Sequence, residues 1–155
     1  MESNCIKEIN IINHNSKEID DFIRYEREAA IHDLIAENSF KIRNNDHFGP
    51  FIMNISLVNG MLGINLTDLK KQKNYKINKS ISGLKKIIQI YHLACSDYYN
   101  YIKSGSTEKL EEAEELRRKI HNDGAKNLNL ILENDFEIDL NTSRRLFTLL
   151  YSLFI

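Results

Sequence analysis

The sequence predicts an α+β protein in which about four helices pack on a small, mainly antiparallel sheet. Apolar residues alternate around an Asn-Gly pair in residues 50–78, which is typical of a strand hairpin or meander. After residue 80 the apolar period changes to that of helices, and strands followed by helices favour an α+β arrangement. A chain of 155 residues is the usual size of one domain with one core, so we expect residues 1–155 to form a single domain.

The first predicted elements are a strand and a helix. The segment 6–12 alternates in the manner of a strand, with isoleucines on one side. Apolar residues then recur at helical spacing up to about Asn38. Ser16 and Asp20 are the candidate caps for the start of this helix, because a short polar side chain accepts a hydrogen bond from a free backbone N–H group there.

The clearest local signal is the segment GPFIMNISLVNGMLGINLTD. Apolar residues alternate before and after Asn59-Gly60, and this pair favours a type I′ turn because both of its residues tolerate a positive φ. The pattern therefore predicts a hairpin. The polar run DLKKQKN is typical of a second turn, which would lead into a short strand at Tyr75 to Asn78.

Three helices should complete the fold. The first of them has Ser80 or Ser82 as a candidate cap and Gly105 as terminator, and the next begins after Ser106. The last runs from about Asn141 to the end of the chain. Its apolar residues cover most of the circumference, so we expect it to be central and largely buried.

Composition and motifs exclude several classes of function. The chain has 21 basic and 22 acidic residues, so it lacks the overall positive field that draws a whole protein to nucleic acid or anionic lipid. The longest apolar stretches are about half of the roughly 20 residues that a membrane helix needs, and no signal segment opens the chain. With two cysteines, we expect a reduced, cytoplasmic protein without membrane attachment.

Metal and cofactor chemistry have no support in the sequence. His92 and Cys95 supply only two ligands at a spacing of three, and no HExxH motif is present. Cys95 lies on an apolar helix stripe, where a packed and unreactive thiol is typical. The motifs GxGxxG, Walker A and GxSxG are also missing, so we expect neither a metal nor a cofactor.

The segment RRKIHNDG in the third helix contains the best candidates for a site. On a helical wheel Arg117 and His121 lean toward the packing face, and Glu114 lies along the same edge. Arg118 and Asn122 point away from that face. Arg27 in the first helix also projects among apolar residues, so we expect Arg27 and Arg117 to meet a carboxylate, carbonyl groups or a bound anion.

A second candidate is the start of the fourth helix, LNTSRRLF. Its first N–H groups and its two arginines could hold phosphate or carboxylate, although Asn-Thr-Ser is also a common capping sequence. The predicted ligand-binding set combines both segments: Arg117, Arg118, His121, Asn122, Arg144 and Arg145. The alternative for the inward arginines Arg27 and Arg117 is that they pair inside the protein, for instance with Glu26, Glu37 or Glu114.

Our leading hypothesis is a non-enzymatic binding or regulatory module for a phosphate-bearing ligand, RNA or an acidic protein segment. One alternative is an enzyme in which His121 acts as general acid or base beside Arg117 and Glu114. Another is a protein–protein interaction module that binds through an aromatic surface. That surface would contain Tyr98, Tyr99 and Tyr101.

A basic run around Tyr75 gives weak support to RNA, because lysines of this kind contact a nucleic-acid backbone. More commonly, lysines in such a run are solvated and protect a sheet edge from aberrant pairing. The lysines concerned are Lys70, Lys71, Lys73, Lys76 and Lys79.

Five segments resemble, in this order and spacing, the bacterial uncharacterised protein family number 0262. They are YEREAAIHDLIAENSF, GPFIMNISLVNGMLGINL, GLKKIIQIYHLACSDYYNYI, RRKIHNDGAKNL and DLNTSRRLFTLL, with HNxG and TxRRLFTL as the most specific elements. The resemblance covers residues 4 to 155. It implies a cytoplasmic bacterial protein and adds no catalytic residue.

The family pattern, as the resemblance implies it, contains several of the candidate residues. They are Glu26, Arg27, Arg117, Arg118, His121, Asn122, Gly124, Arg144 and Arg145. This chain departs from the pattern at Tyr25, Asp123 and Ala125, where the family has His, Glu and Ser. These departures count against an essential role for those three positions.

Overall fold

The computed structural model describes residues 3–12 and 19–155, and the α+β prediction is confirmed. The candidate cap Ser16 lies outside the described residues. The described elements are β1 (Ile6–Ile11), α1 (Asp21–Ala36), β2 (Phe40–Ile42), β3 (Phe51–Val58), β4 (Met61–Asp68), β5 (Lys73–Ser80), α2 (Lys85–Ser104), α3 (Thr107–Leu132), β6 (Phe136–Ile138) and α4 (Leu140–Phe154).

The main sheet has the strand order β1-β3-β4-β5. The hairpin prediction is confirmed, because β3 and β4 pair in antiparallel register around Asn59-Gly60, whose φ angles are 51° and 75°. β5 extends well beyond the predicted Tyr75 to Asn78, since its polar ends also pair with β4. β1 joins the other edge and runs parallel to β3.

The register gives the sheet one apolar and one polar face. Ile55, Ile64 and Ile77 lie opposite one another on the face toward the core. Asn54 and Asn65 are opposite each other on the other face, which is polar. This division is typical of an antiparallel sheet with helices on one side only.

A second, two-stranded sheet consists of β2 and β6. The rings of Phe40 and Phe136 are in contact in it, tilted by 51° with their centroids 4.6 Å apart. The periodicity of the sequence did not indicate these strands. Each has three residues, which is too short to show an alternating pattern, and the pairing joins positions almost one hundred residues apart.

The predicted helix starts need correction, whereas the predicted terminator is confirmed. A 3₁₀ turn at Ser82–Leu84 precedes α2, and Ser80 accepts a hydrogen bond from the Ser82 amide instead of capping the α-helix. Gly105 ends α2 with φ 74°. Ser106 occupies the N-cap position of α3, but no cap bond to its side chain is present among the described residues.

α4 is the central helix of the layer, and the prediction that it is buried is confirmed. Arg27 in the first half of α1 bonds Ser152 near the end of α4, and Arg145 near the start of α4 bonds the carbonyl of Glu37, which follows the last residue of α1. α1 and α4 are therefore antiparallel. The four described helices are all too short or too polar to cross a membrane.

α3 is antiparallel to α4 on its other side. Ser143 donates a hydrogen bond to the Ala125 carbonyl at 2.6 Å, and His121 contacts Thr148. Gly124 permits this approach, because a Cβ atom there would lie 2.4 Å from the ring of Phe147. α1 and α3 therefore flank α4 and run in the same direction as each other.

Candidate functional site

An open depression of about 260 Å³ lies between α1 and α3, with part of α4 as its floor. Five of the six predicted ligand-binding residues line it, and they come from two helices. The lining consists of Glu26, Ala29, Ala30, Asp33, Tyr91, Arg117, Arg118, His121, Arg144, Arg145 and Thr148.

Arg117 is held in place at one end of the depression. Its Nη1 atom lies 3.7 Å from Oε1 of Glu26, and its guanidinium lies 4.4 Å from the centre of the Tyr98 ring. The hydroxyl group of Tyr99 donates a hydrogen bond of 2.9 Å to the same Glu26 oxygen. Arg117 therefore has a carboxylate partner, which is one of the three kinds of partner expected of an inward arginine.

Arg118 pairs with Glu114 at the edge of the depression, with Nη2 and Oε1 separated by 3.2 Å. The prediction that Glu114 lines up with Arg117 and His121 is therefore wrong. Glu26 of α1 pairs with Arg117, and Glu114 pairs with the outward Arg118, which is one turn after Glu114 in α3. Both side chains of the Arg118 pair are exposed, so this pair contributes little to stability.

His121 lies between the arginine pair of α3, Arg117–Arg118, and the arginine pair of α4, Arg144–Arg145. Its Nε2 atom is 2.7 Å from the hydroxyl oxygen of Thr148, which in turn donates to the carbonyl of Arg144 at 3.3 Å. Both bonds are satisfied if His121 donates to Thr148. Burial, with the charges of Arg144 and Arg117, lowers the pKa of His121 to about 4, so the ring is neutral at pH 7.

Arg144 and Arg145 have no carboxylate partner among the residues that the structure describes. Arg145 donates from Nη1 to the carbonyl oxygen of Glu37 at 3.0 Å. The N–H groups at the start of α4 are not free in the way the sequence suggested, because the Asp139 carboxylate accepts from the Thr142 amide. Anion binding at this end would therefore depend on the guanidinium groups.

Asn122 is the predicted residue that does not line the depression. It is half-buried, and its Oδ1 atom has no hydrogen-bond partner in the described part of the chain. The prediction that Asn122 points away from the protein is wrong, since α3 is packed on more than one side. The guanidinium of Arg27 donates a hydrogen bond of 2.8 Å to the carbonyl oxygen of Ser152, and a carbonyl group is one of the partners expected for Arg27.

The sequence offers Glu26 as a partner for an inward arginine, but it does not show that α1 forms one wall of the site. Ala29, Ala30 and Asp33 line the depression together with Glu26. Glu26, Ala30 and Asp33 have the spacing of one helix face, and the two alanines leave space above it. That pattern was available in the sequence, but nothing in it indicated which helix would lie opposite.

The other candidate surfaces are less open than the sequence suggested. Tyr98 and Tyr99 are half-buried against Arg117 and Glu26, so only part of each ring is accessible to a partner, and the protein–protein interaction module stays a prediction. In the basic run, Lys71 and Lys79 form ion pairs of 3.0 Å and 2.9 Å with acidic residues. The run occupies the β4–β5 turn and the edge strand β5.

Cys95 is fully buried, and burial raises the pKa of its thiol to about 11. A thiol with so high a pKa is almost entirely protonated at pH 7, and the protonated form is a poor nucleophile. The prediction that the Cys95 thiol is packed in the core is therefore confirmed.

A comparison with protein families gives a match over residues 3–155 to the model described as Uncharacterised protein family (UPF0262). The chain belongs to UPF0262. A UPF0262 protein of Xanthobacter autotrophicus is 35% identical over 145 residues, which cover 92% of this chain and 84% of the relative. The UPF0262 protein of Brucella anthropi is 35% identical over 127 residues, or 82% of this chain and 79% of the relative.

A third UPF0262 protein, from Chelativorans sp., is 34% identical over 128 residues, covering 83% of this chain and 80% of the relative. No solved structure matches the chain. Three of the segments on which the UPF0262 resemblance rested lie largely in α1, α3 and α4, the helices that enclose the depression. The departures at Tyr25, Asp123 and Ala125 do not line it.

Proposed function

We propose that this UPF0262 protein is a binding module for a small anionic ligand of the phosphate type, held in the depression between α1 and α3. The observation that carries the proposal is the imbalance of charge there. Four arginines line the depression with two carboxylates, those of Glu26 and Asp33. Because His121 is neutral at pH 7, it does not add to the positive charge.

Arg144 and Arg145 supply the uncompensated charge. Arg145 is oriented by the Glu37 carbonyl, which leaves other guanidinium donors available, and Arg144 is half-buried without a described carboxylate partner. Guanidinium groups bind phosphate and carboxylate oxygens through paired, charge-assisted hydrogen bonds. A half-buried arginine at an open depression is therefore well suited to an anion from outside the protein.

The shape of the depression favours a small ligand over a nucleic acid. Its volume of about 260 Å³ lies below the roughly 300–1,000 Å³ of pockets for drug-sized ligands. Tyr91 is the aromatic residue of the lining other than His121, and it is 2% exposed, so it offers no face on which a base could stack. RNA, an acidic protein segment and a cytoplasmic location remain predictions from the sequence.

The enzyme alternative has less support from the geometry. It required Glu114 beside His121 and Arg117, but Glu114 is paired with Arg118 at the edge. A neutral His121 whose Nε2 is bonded to Thr148 is better suited to positioning that hydroxyl than to donating a proton. We therefore propose binding without catalysis.

Calorimetric titration with inorganic phosphate, at ionic strength held constant with sodium chloride, tests the proposal. We expect Arg144→Gln to weaken phosphate binding about tenfold or more, since a charge-assisted hydrogen bond contributes about 1.5–3 kcal/mol. Arg24→Gln is the matched control, because Arg24 is an exposed α1 arginine outside the depression. Absence of phosphate binding by the wild-type protein, or equal loss in both variants, would overturn the proposal.

A further inference from the structure

We infer that the ligand carries two phosphate-type groups, one at each end of a short, neutral backbone with hydroxyl groups. This inference rests on the proposed function and specifies the ligand class. It comes from the separation of the two arginine pairs and from the lining between them. The pair Arg117–Arg118 belongs to α3 and the pair Arg144–Arg145 to α4.

The pairing of α3 with α4 gives one measure of their separation. Ser143 is bonded to Ala125, so the start of the arginine pair on α4 is level with about residue 125 of α3. Arg117 lies seven or eight residues before that level. At 1.5 Å per residue the two pairs are about 11 Å apart along the helix axes.

α1 gives a second measure. Arg117 is held at Glu26, and Arg145 is held at the carbonyl of Glu37. Glu26 lies within α1 and Glu37 directly follows its last residue, so the two anchor residues are eleven positions apart, which corresponds to about 16 Å along the helix axis. A single phosphate group, with hydrogen bonds of about 2.8 Å, cannot contact guanidinium groups at both anchors.

The middle of the depression has a different chemistry. Ala29 and Ala30 leave room there without adding charge, and Asp33 contributes a carboxylate. The carboxylate repels a phosphate placed in the middle but accepts hydrogen bonds from hydroxyl groups. This arrangement favours a polyol with a phosphate at each end over a linear polyphosphate, which is charged along its whole length.

The two ends should differ in strength. Arg144 and Arg145 have no described carboxylate partner, so a single phosphate binds there first. At the other end Arg117 is committed to Glu26, whereas Arg118 is joined to Glu114 by an exposed pair that is easily exchanged. Arg118 is therefore the residue that receives the second phosphate group.

The test is a titration of the wild-type protein with inorganic phosphate, fructose 6-phosphate, fructose 1,6-bisphosphate and tripolyphosphate at constant ionic strength. We expect the bisphosphate to bind at least tenfold more tightly than either monophosphate. Arg118→Gln should remove this advantage, and it should weaken the binding of inorganic phosphate much less than that of the bisphosphate. Glu114→Gln, which releases Arg118, should increase affinity for the bisphosphate alone.

The outcomes separate the two proposals. If inorganic phosphate binds and depends on Arg144, but the bisphosphate has no advantage, the two-headed ligand is wrong and the anion site stands. If Arg118→Gln weakens all four probes equally, Arg118 does not recognise a second group and the inference fails. If tripolyphosphate binds more tightly than the bisphosphate, and Asp33→Asn does not change this order, the inference that the ligand has a neutral backbone is wrong.

Discussion

The two arginine pairs have the same sequence but different surroundings. Arg117 and Arg118 in α3 each have a carboxylate partner, in Glu26 and Glu114 respectively. Arg144 and Arg145 in α4 have none in the described chain, and the bond of Arg145 goes to a backbone carbonyl. An Arg-Arg dipeptide is therefore paired, or left without a carboxylate, according to the acidic side chains that its own helix and the neighbouring helices bring to it.

The largest effect should come from separating the two helices that carry the pairs. Gly124→Val places a branched side chain against the ring of Phe147, where even a Cβ atom would be 2.4 Å away. We expect a loss of about 3 kcal/mol in the free energy of unfolding, at the upper end of the overpacking range, measured by urea denaturation.

Gly83→Val is the matched control for this change, because nothing lies within 4 Å of a Cβ atom at Gly83. Its effect should be below about 0.5 kcal/mol. If both valine variants were equally stable, the close approach of α3 and α4 at Gly124 would be contradicted.

A smaller effect is expected from His121, which lies between the pairs. Its pKa is about 4 in the folded protein and about 6.5 in the unfolded chain, so the unfolded chain binds the proton first as the pH falls. The protein should lose stability from about pH 6.5 down to pH 4. At pH 5 the loss should be about 2 kcal/mol greater than in His121→Gln.

Urea denaturation of both proteins at pH 7.5 and pH 5 measures this difference, and the variant accounts for carboxylates that titrate in the same range. Equal losses in the two proteins would mean that His121 is not buried between the arginines. NMR titration of the His121 ring measures the influence of Arg144 directly. Arg144→Gln should raise the pKa of His121, because the Arg144 charge lowers it.

The smallest effect compares one arginine from each pair in the absence of ligand. Arg117→Met leaves the poorly exposed carboxylate of Glu26 without its counter-ion, which should cost about 1–2 kcal/mol in the free energy of unfolding. Arg144→Met should change it by less than about 0.5 kcal/mol, because no described ion pair is lost. Equal destabilisation by the two substitutions would remove the distinction between the pairs.

Local patterns predicted much of the fold. The Asn59-Gly60 turn depends on backbone preferences of two adjacent residues, and the burial of α4 depends on apolar residues within one helix. The N-cap of α4 is harder to predict, because Asn141 and its neighbours are common capping residues. In the structure, the side chain of Asp139 accepts the cap hydrogen bond from the Thr142 amide. Competing short-range signals of similar strength are not resolved by the sequence.

For the candidate site, the sequence named five residues that line one depression, and it offered Glu26, Glu37 and Glu114 as partners, but it did not show which arginine each would meet. A helical wheel shows which side of α3 Arg117 occupies, yet it cannot show that α1 brings Glu26 to that side. The wheel consequently assigned Glu114 to the wrong arginine neighbours. Asn122 was misplaced for the same reason, since its burial depends on elements distant in the chain.

The class of fold, the hairpin, the central helix and the helix segments that carry the arginines all follow from local sequence, because they depend on the period of apolar residues along each element. The packing of the helices is what brings both arginine pairs to one depression and neutralises one of them. Charge pairing acts over a few ångströms between helices whose residues are far apart in sequence. Which charges meet is therefore set by packing, at contacts such as Gly124 with Phe147.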